Sequence, residues 1–215
     1  MPNYVINKLG IYGDKELVRK IFDTVVVKDN DGREYFDFNR IIPQPESIAN
    51  SICSSEVDKG LRHWLKYNEG DDLWDKISEM VSYVGNKAET YSKEEVLLGQ
   101  KAVNNIRRYG YKDWYDWNRA NWGTKWNAIT TDVEGDTIIF QTAWSLPEPV
   151  IKKLSEMFPD ATFDLDYADE DIGSNCGSLE YINGELQIEH YPDDATAFAE
   201  RLWRYEYNGE EDENA

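Results

Sequence analysis

The chain has few of the residues on which catalysis and cross-linking depend. It contains two cysteines and two histidines among 215 residues. Cys53 and Cys176 stand far apart in no paired motif, so we interpret them as ordinary small residues of a protein in a reducing compartment. His63 and His190 belong to no hydrolase, metalloprotease or phosphate-loop motif. We therefore expect no catalytic residues, no metal site, no cofactor and no enzymatic activity.

Long apolar runs are also missing. The longest runs, such as residues 25–27 and 138–140, contain only a few residues, too few to cross a membrane. The N-terminal residues lack the basic and apolar regions of an export signal. Hydrophobic residues make up 40% of the chain and aromatic residues 13%, which argues against disorder. We expect a folded cytoplasmic protein.

Basic residues are scarce in one part of the chain. Residues 160–215 hold 17 acidic residues but only two basic ones, Arg201 and Arg204, and so carry 15 of the 19 net negative charges. Residues 1–159 are nearly balanced, with 25 acidic and 21 basic residues. Such an acidic region repels nucleic acids and anionic lipids and attracts basic protein surfaces. The charge thus predicts a class of partner more clearly than a reaction.

The first half of the chain combines a βαβ pattern with a helical segment. A strand is predicted over residues 4–12, a helix after the N-cap Asp14, and a second strand over 36–42, before two prolines. Residues 46 to about 110 have helical periodicity, and Ser92 begins a capping box. One apolar stripe in this segment comprises Leu73, Ile77, Met80, Val81 and Val84.

The second half of the chain alternates strands with helices. A hairpin is predicted over residues 126–133 and 137–143, and a helix over residues 147–158. A strand with alternating apolar and polar residues is predicted over residues 162–168. A second hairpin, 178–182 with 185–191, turns at Asn183 and Gly184. Asp194 starts a short helix with Phe198, Leu202 and Tyr205 on one face, and residues 208–215 form an acidic tail.

These elements predict an α+β fold. We expect a ferredoxin-like antiparallel sheet with helices on one face, a helical insertion and an extra C-terminal hairpin. The ferredoxin-like domain would comprise residues 1–45 and 121–215, and the insertion residues 46–120.

Four separated sequence blocks resemble a known family. They are residues 1–7 (MPNYVIN), 36–45 (FDFNRIIPQP), 121–128 (NWGTKWNA) and 140–147 (FQTAWSLP). In this order they resemble the YubB-type family of phage and conjugative-plasmid proteins. The resemblance implies a ferredoxin-like domain and an origin in a mobile genetic element, with no catalytic residues to transfer. Many accessory proteins of such elements disable host defence systems, which makes that function an expectation by association.

The acidic residues of the C-terminal strands are the predicted partner-binding site. Strand alternation places Asp164, Asp166, Glu180, Glu185 and Glu189 on one sheet face, with Gln187 among them. We expect His190 on the opposite, inward face. The full predicted set is Asp164, Asp166, Asp169, Glu170, Asp171, Glu180, Glu185 and Glu189.

Two other interpretations of these acids remain open. They could be a solvated face that provides solubility and blocks pairing at the edge of the sheet. The five between positions 164 and 171 could instead bind a divalent cation. Their order departs from a calcium-binding loop, because Ala168 and Asp169 occupy positions where an acid and a glycine are needed.

Aromatic residues cluster in the middle of the chain. Trp114, Trp117, Trp122 and Trp126, together with Lys125, predict an aromatic platform able to stack bases or hold a peptide. The alternative is a structural corner in which these rings are buried.

The function we expect is a non-catalytic phage or plasmid accessory protein. It would bind and inhibit a host defence protein, through its acidic surface, at a basic nucleic-acid- or nucleotide-binding site. One alternative is a DNA mimic that inhibits restriction, and another is a metal-dependent enzyme built on the clustered carboxylates. A third, a protein that sequesters nucleotide signals, would need a basic pocket around Arg107, Arg108, Lys112 and Lys125.

Overall fold

The fold consists of strands and helices that alternate along most of the chain. The structure, a computed structural model, describes residues 3–28, 31–82 and 89–210, without the side chains of 205–210. In chain order the elements are β1 (Tyr4–Tyr12), α1 (Lys15–Val25), β2 (Val26–Lys28), β3 (Glu34–Phe36), α2 (Glu46–Ala49), α3 (Ser55–Tyr67), α4 (Trp74–Met80), α5 (Lys93–Tyr109), α6 (Trp114–Asn121), β4 (Thr131–Glu134), β5 (Thr137–Ala143), α7 (Glu148–Met157), β6 (Thr162–Asp169), β7 (Cys176–Ile182), β8 (Glu185–His190) and α8 (Ala195–Glu210).

By their internal contacts the residues form two units. One comprises residues 1–43 and 118–215, and the other residues 44–117. We call the second the helical unit. In the described segments, no helix has both the length and the apolar character needed to cross a membrane.

The first unit contains a six-stranded sheet in the order β4-β5-β1-β6-β7-β8, in which every pair is antiparallel. The elements β1-α1-β4-β5-α7-β6 follow each other as in a split βαβ, or ferredoxin-like, arrangement. The hairpin β7–β8 then extends the sheet beyond β6. The predicted α+β class is confirmed.

The two faces of this sheet are covered to different extents. Leu9, Phe163 and Leu165 are fully buried on one face. On that side α7 packs against the sheet, where the Tyr181 hydroxyl donates a 2.6 Å hydrogen bond to Glu148. On the other face α8 covers a cluster comprising Ile6, Ile139, Ala168 and Cys176. No other described helix covers the rest of the second face.

The predicted strand over residues 36–42 is wrong. Strand β3 ends at Phe36, and Phe38–Arg40 is one turn of 3₁₀-helix. The Asp37 carboxylate accepts a 3.0 Å hydrogen bond from the Asn39 amide. This local bond replaces a ladder bond and turns the backbone out of the strand. The second strand of the ferredoxin-like core is instead β4.

Helices α3 and α5 of the helical unit cross in direct backbone contact. A Cβ atom on Gly99 would overlap the carbonyl carbon of Gly60, and one on Gly60 would overlap the carbonyl oxygen of Glu95. Glycine inside a helix destabilises it, so this close approach is the physical reason for both residues. Helices α3 and α5 share with α4 a core cluster that comprises Val57, Leu61, Leu65, Ile77, Val81, Ala102, Val103 and Ile106.

Local signals within the helical unit were predicted correctly. Ser92 forms the capping box with Glu95, each side chain bonded to the backbone of the other residue. Ile77 and Val81 of the predicted stripe are buried, and Leu73 and Met80 pack against them. Val84, the last member of the stripe, lies outside the described residues.

The C-terminal hairpin and helix are also present. Asn183 and Gly184 both have positive φ, 50° and 76°, as a tight hairpin turn requires. The Gly184 amide donates a 2.8 Å hydrogen bond to the Ser155 hydroxyl of α7. Helix α8 follows Asp194 and is longer than predicted, since it includes residues 208–210. The side chain of Tyr205 and tail residues 211–215 lie outside what the structure describes.

Candidate partner-binding face

Three predicted acidic residues lie on one face of the sheet. Asp164 and Asp166 alternate with buried residues along β6. Glu180 of β7 is paired directly with Asp164. Because paired residues in a sheet project to the same side, the three carboxylates share a face. This is the face that α8 covers only in part.

The proximity of these carboxylates affects their protonation. Partial burial, followed by the charges of Asp166 and Glu180, raises the pKa of Asp164. Asp166 accepts a hydrogen bond of 2.5 Å from the Ser178 hydroxyl. Lys8, its paired residue on β1, adds one cation to the same face. A basic side chain from a partner would relieve the repulsion that acts on Asp164.

A bulge in β8 changes which residues reach this face. Tyr181 pairs with Leu186, and the preceding residue, Glu180, pairs with Ile188. Gln187 lies between these two residues of β8 and is paired with no residue of β7, which makes it the extra residue of a β-bulge. Glu185, before the bulge, pairs with Ile182 and therefore lies on the same side as Glu180. We define the acidic face as Asp164, Asp166, Glu180 and Glu185.

Two predicted positions on β8 are corrected by this bulge. Glu189 pairs with Leu179 and so lies on the opposite face of the sheet. His190 pairs with Ser178, which places it on the acidic side, and it is exposed rather than inward. Beyond a bulge, each side chain projects to the face opposite to the one that strict alternation predicts. No residue type in β8 indicates that a bulge is present.

The remaining predicted acids serve a turn. The Asp169 carboxylate is buried and accepts hydrogen bonds from the Asn3 side chain (3.2 Å) and the Asp171 amide (2.9 Å). Glu170 and Asp171 are exposed in the turn that follows. The predicted five-carboxylate group is therefore spread over two faces and a loop. Within residues 3–28, 31–82 and 89–210, no three metal-ligating side chains converge.

Exposed apolar side chains border the acidic face. Tyr12 and Ile188 are 58% and 52% exposed. Ile188 pairs with Glu180, and the Tyr12 hydroxyl lies 2.9 Å from where a Cβ atom of Gly10 would stand. Gly10 is in turn the residue paired with Asp164, so the tyrosine ring lies beside this carboxylate. Alternation along β1 could have indicated Tyr12, whereas the bulge hid Ile188.

The predicted aromatic platform is not one exposed surface. Trp117 and Trp122 are buried, 5% and 2% exposed. The Trp122 indole donates a 2.9 Å hydrogen bond to the Ile42 carbonyl, and its ring packs edge-on against Phe38 at 5.9 Å. Trp114 is half-buried, with its ring edge-on to Tyr115 at 5.9 Å. The structural corner describes this segment better, because tryptophan gains most from burial.

Lys125 and Trp126 belong to a different arrangement. The Lys125 ammonium lies 4.4 Å from the centre of one Trp126 ring and 4.7 Å from that of Trp144. Trp144 is 42% exposed and has a positive φ of 72°, which is unusual for a bulky residue. Cation–π contact between the lysine and both indoles accounts for the cluster. Trp144 was not predicted as a site residue, because it is distant from Lys125 and Trp126 in the sequence.

The basic residues predicted for a nucleotide pocket divide into paired and unpaired ones. Arg107 forms an ion pair with Asp71 at 3.1 Å, and Lys112 forms one with Asp58 at 2.8 Å. Arg108 has no carboxylate partner in the part of the chain that the structure describes. The fourth, Lys125, contacts the indole rings of Trp126 and Trp144.

The comparisons with known proteins support the fold of the C-terminal part. Residues 121–213 match the family model described as a ferredoxin-like domain in Api92-like protein. A crystal structure of the protein api92 from Yersinia pseudotuberculosis is similar at 12% sequence identity and a TM-score of 0.39, over 89% of this chain and 99% of that one. A likeness this low carries no further argument. No curated protein matches the chain.

Proposed function

We propose that this protein is a non-catalytic accessory protein that binds a basic surface of a partner protein through its acidic face. The observation that carries the proposal is the grouping of Asp164, Asp166 and Glu180 on neighbouring strands, where partial burial, followed by the charges of the other two carboxylates, raises the pKa of Asp164. Opposed like charges destabilise an isolated sheet, and a cationic partner compensates them.

The border of the acidic face favours a protein partner rich in arginine. Tyr12 and Ile188 offer apolar contact beside the carboxylates. A guanidinium can bond a carboxylate with two parallel hydrogen bonds and also stack on an aromatic ring. Nucleic acids and anionic lipids carry the wrong charge for this face.

The biological setting of the proposal comes from the sequence resemblance. The resemblance to phage and plasmid proteins favours an accessory protein of a mobile element, acting in the host cytoplasm. Its partner would be a host defence protein, inhibited by occlusion of a basic nucleic-acid- or nucleotide-binding site. This part of the proposal rests on that resemblance, and the acidic face supplies its mechanism.

The test is capture of a partner from bacterial lysate at low salt, followed by affinity measurements with the purified pair. We expect the affinity to fall about tenfold or more between roughly 0.05 and 0.5 M salt, because exposed charges are screened. The double variant Asp164→Asn/Glu180→Gln should weaken binding mainly through a slower association rate.

The matched control is Asp160→Asn/Asp193→Asn. Both residues are exposed acids of the same acidic segment but lie outside the acidic face, and this variant removes the same charge. An equal loss of affinity in both double variants, or an affinity that does not change with salt, would contradict a specific role for the acidic face.

A further inference from the structure

The helical unit contains a cavity of about 380 Å³. One wall is a face of α5, and the other is the segment that includes α2 and the start of α3. This volume lies within the range of pockets that hold small molecules, roughly 300–1,000 Å³.

The base of the cavity is polar and fixed in place. Asn105 is only 4% exposed. Its side-chain oxygen accepts a 2.8 Å hydrogen bond from the Ser47 hydroxyl. Its amide donates to the backbone carbonyls of Ser47 (3.3 Å) and Lys112 (3.4 Å). These bonds hold the α2 segment against α5, so the pocket is formed before a ligand arrives.

The mouth of the cavity carries side chains that form no hydrogen bond with other described residues. Lys101 and Arg108 are exposed, seven residues apart on α5, and therefore on the same side of that helix about two turns apart. Asn50 and Asn104 are also exposed there. None of these four side chains has a hydrogen bond or ion pair within the described segments. Neighbouring Arg107, in contrast, is paired with Asp71.

The lining also has an apolar wall and no described carboxylate. Ile52 is 53% exposed, and Val57 and Leu98 lie deeper. Of the three cations in the lining, Lys112 is paired with Asp58 at 2.8 Å, whereas Lys101 and Arg108 have no carboxylate partner among the described residues. In a chain with a net charge of −19, a pocket with these cations and no described carboxylate in its lining is electrostatically distinct from its surroundings. Such a site attracts a small anion rather than a basic protein.

We propose that this cavity binds a small phosphorylated molecule with an apolar ring, the chemistry of a nucleoside monophosphate. Lys101 and Arg108 contact the phosphate, since ammonium and guanidinium groups are strong donors to phosphate oxygens. Ile52 and Leu98 pack against the ring. The amides of Asn50 and Asn104 supply both donors and acceptors to its polar edge. The cavity shares no residue with the acidic face.

Isothermal titration calorimetry on the full chain at low salt tests the proposal. The probes are the four ribonucleoside monophosphates, with adenosine and inorganic phosphate as fragments. We expect at least one monophosphate to bind, and each fragment to bind about tenfold more weakly, because each fills half of the pocket. Lys101→Gln and Arg108→Gln should each weaken binding about tenfold, the effect of losing a charged hydrogen bond.

Arg107→Gln is the matched control, because it removes an adjacent arginine that is not part of the lining. It should leave the affinity within about twofold, the size of a surface charge effect. Circular dichroism would show that all three variants keep their helices. The proposal is overturned if no monophosphate binds, if inorganic phosphate binds as tightly, or if Lys101→Gln and Arg108→Gln do not weaken binding more than the control.

Discussion

The acidic face and the cavity of the helical unit differ in why their charged side chains are free to bind a ligand or a partner. Residues 160–215 have 17 acidic and two basic residues, whereas residues 44–117 have 13 acidic and 10 basic ones. In the helical unit, Lys59, Arg62, Arg107 and Lys112 each pair with a carboxylate. Lys101 and Arg108 pair with no carboxylate in the part of the chain that the structure describes. Local pairing, rather than net charge, therefore decides what each surface attracts.

The two regions are also built differently. The acidic face depends on strand register, because pairing across β6, β7 and β8 selects which carboxylates share a side. The cavity is lined by residues of α3 and α5, the two helices that Gly60 and Gly99 bring into backbone contact. Each region can therefore be changed by substitutions that do not touch the other.

We expect Gly99→Ala to change the protein most, because it disrupts the crossing of α3 and α5. The new methyl group would meet the Gly60 backbone, which cannot move aside as a flexible side chain does. We expect a loss of about 3 kcal/mol in the free energy of unfolding, measured by urea denaturation, together with loss of the cavity. Partner binding through the acidic face should persist.

Gly70→Ala is the control for that substitution. Gly70 has a φ of +91°, and no atom lies within 4 Å of the position that an alanine methyl group would take, so only backbone strain opposes alanine there. We expect a cost of about 1 kcal/mol. Equal losses in the two variants would show that the helix crossing is not tight.

A smaller effect, of opposite sign, is expected on the acidic face. Asp164→Asn should stabilise the protein by about 0.2–1 kcal/mol near neutral pH, because it removes repulsion from Glu180 and Asp166. The pKa of Asp164 is raised in the folded state, so its carboxylate opposes folding when it is charged. As the pH falls through that pKa, the folded protein takes up the proton first, and stability increases relative to neutral pH.

The gain from Asp164→Asn should therefore vanish below the pKa of Asp164 in the unfolded chain. Urea denaturation at about pH 7 and about pH 3 measures the difference. Asp160→Asn, a change at an exposed acid outside the acidic face, should have little effect at either pH. A destabilised Asp164→Asn at neutral pH would mean that this carboxylate makes a favourable contact.

The smallest effect concerns Cys53, which follows Ile52 at the mouth of the cavity. Desolvation of the thiol, followed by the charge of Asp113, raises the pKa of Cys53 to about 11. Alkylation should therefore be slow near neutral pH and accelerate as the pH approaches that value. Asp113→Asn should lower the pKa and speed the reaction a few-fold.

Mass spectrometry of iodoacetamide-treated protein measures this reaction, and Cys53→Ser identifies the labelled site. A bound monophosphate should slow the labelling further, because it covers the adjacent Ile52. Rapid labelling at neutral pH in the unmodified chain would contradict the raised pKa.

The parts of the fold that were predicted correctly depend on short-range signals. The bounds of β1, the capping box at Ser92 and the turn at Asn183 and Gly184 all follow from residues within a few positions of one another. The strand expected at residues 36–42 failed because Asp37 bonds to its own backbone two residues on. Composition alone does not show which of the two bonding patterns is more stable.

The candidate site was predicted in part. Asp164, Asp166, Glu180 and Glu185 share a face as expected, whereas Glu189 does not, because of the bulge at Gln187. The aromatic platform failed for another reason. A tryptophan-rich segment has the same sequence pattern whether it is exposed or buried, and only packing against distant residues such as Phe38 distinguishes the two.

The amino-acid sequence was enough to locate the concentrated charge and the starts of helices and turns, since these properties depend on composition and on near neighbours. The folded structure was needed to show which carboxylates share a face and which of the described cations pair with a carboxylate. Both depend on contacts between distant residues: Asp164 meets Glu180 through strand pairing, and Lys112 meets Asp58 through helix packing. The same tertiary contacts leave Lys101 and Arg108 at the mouth of a cavity.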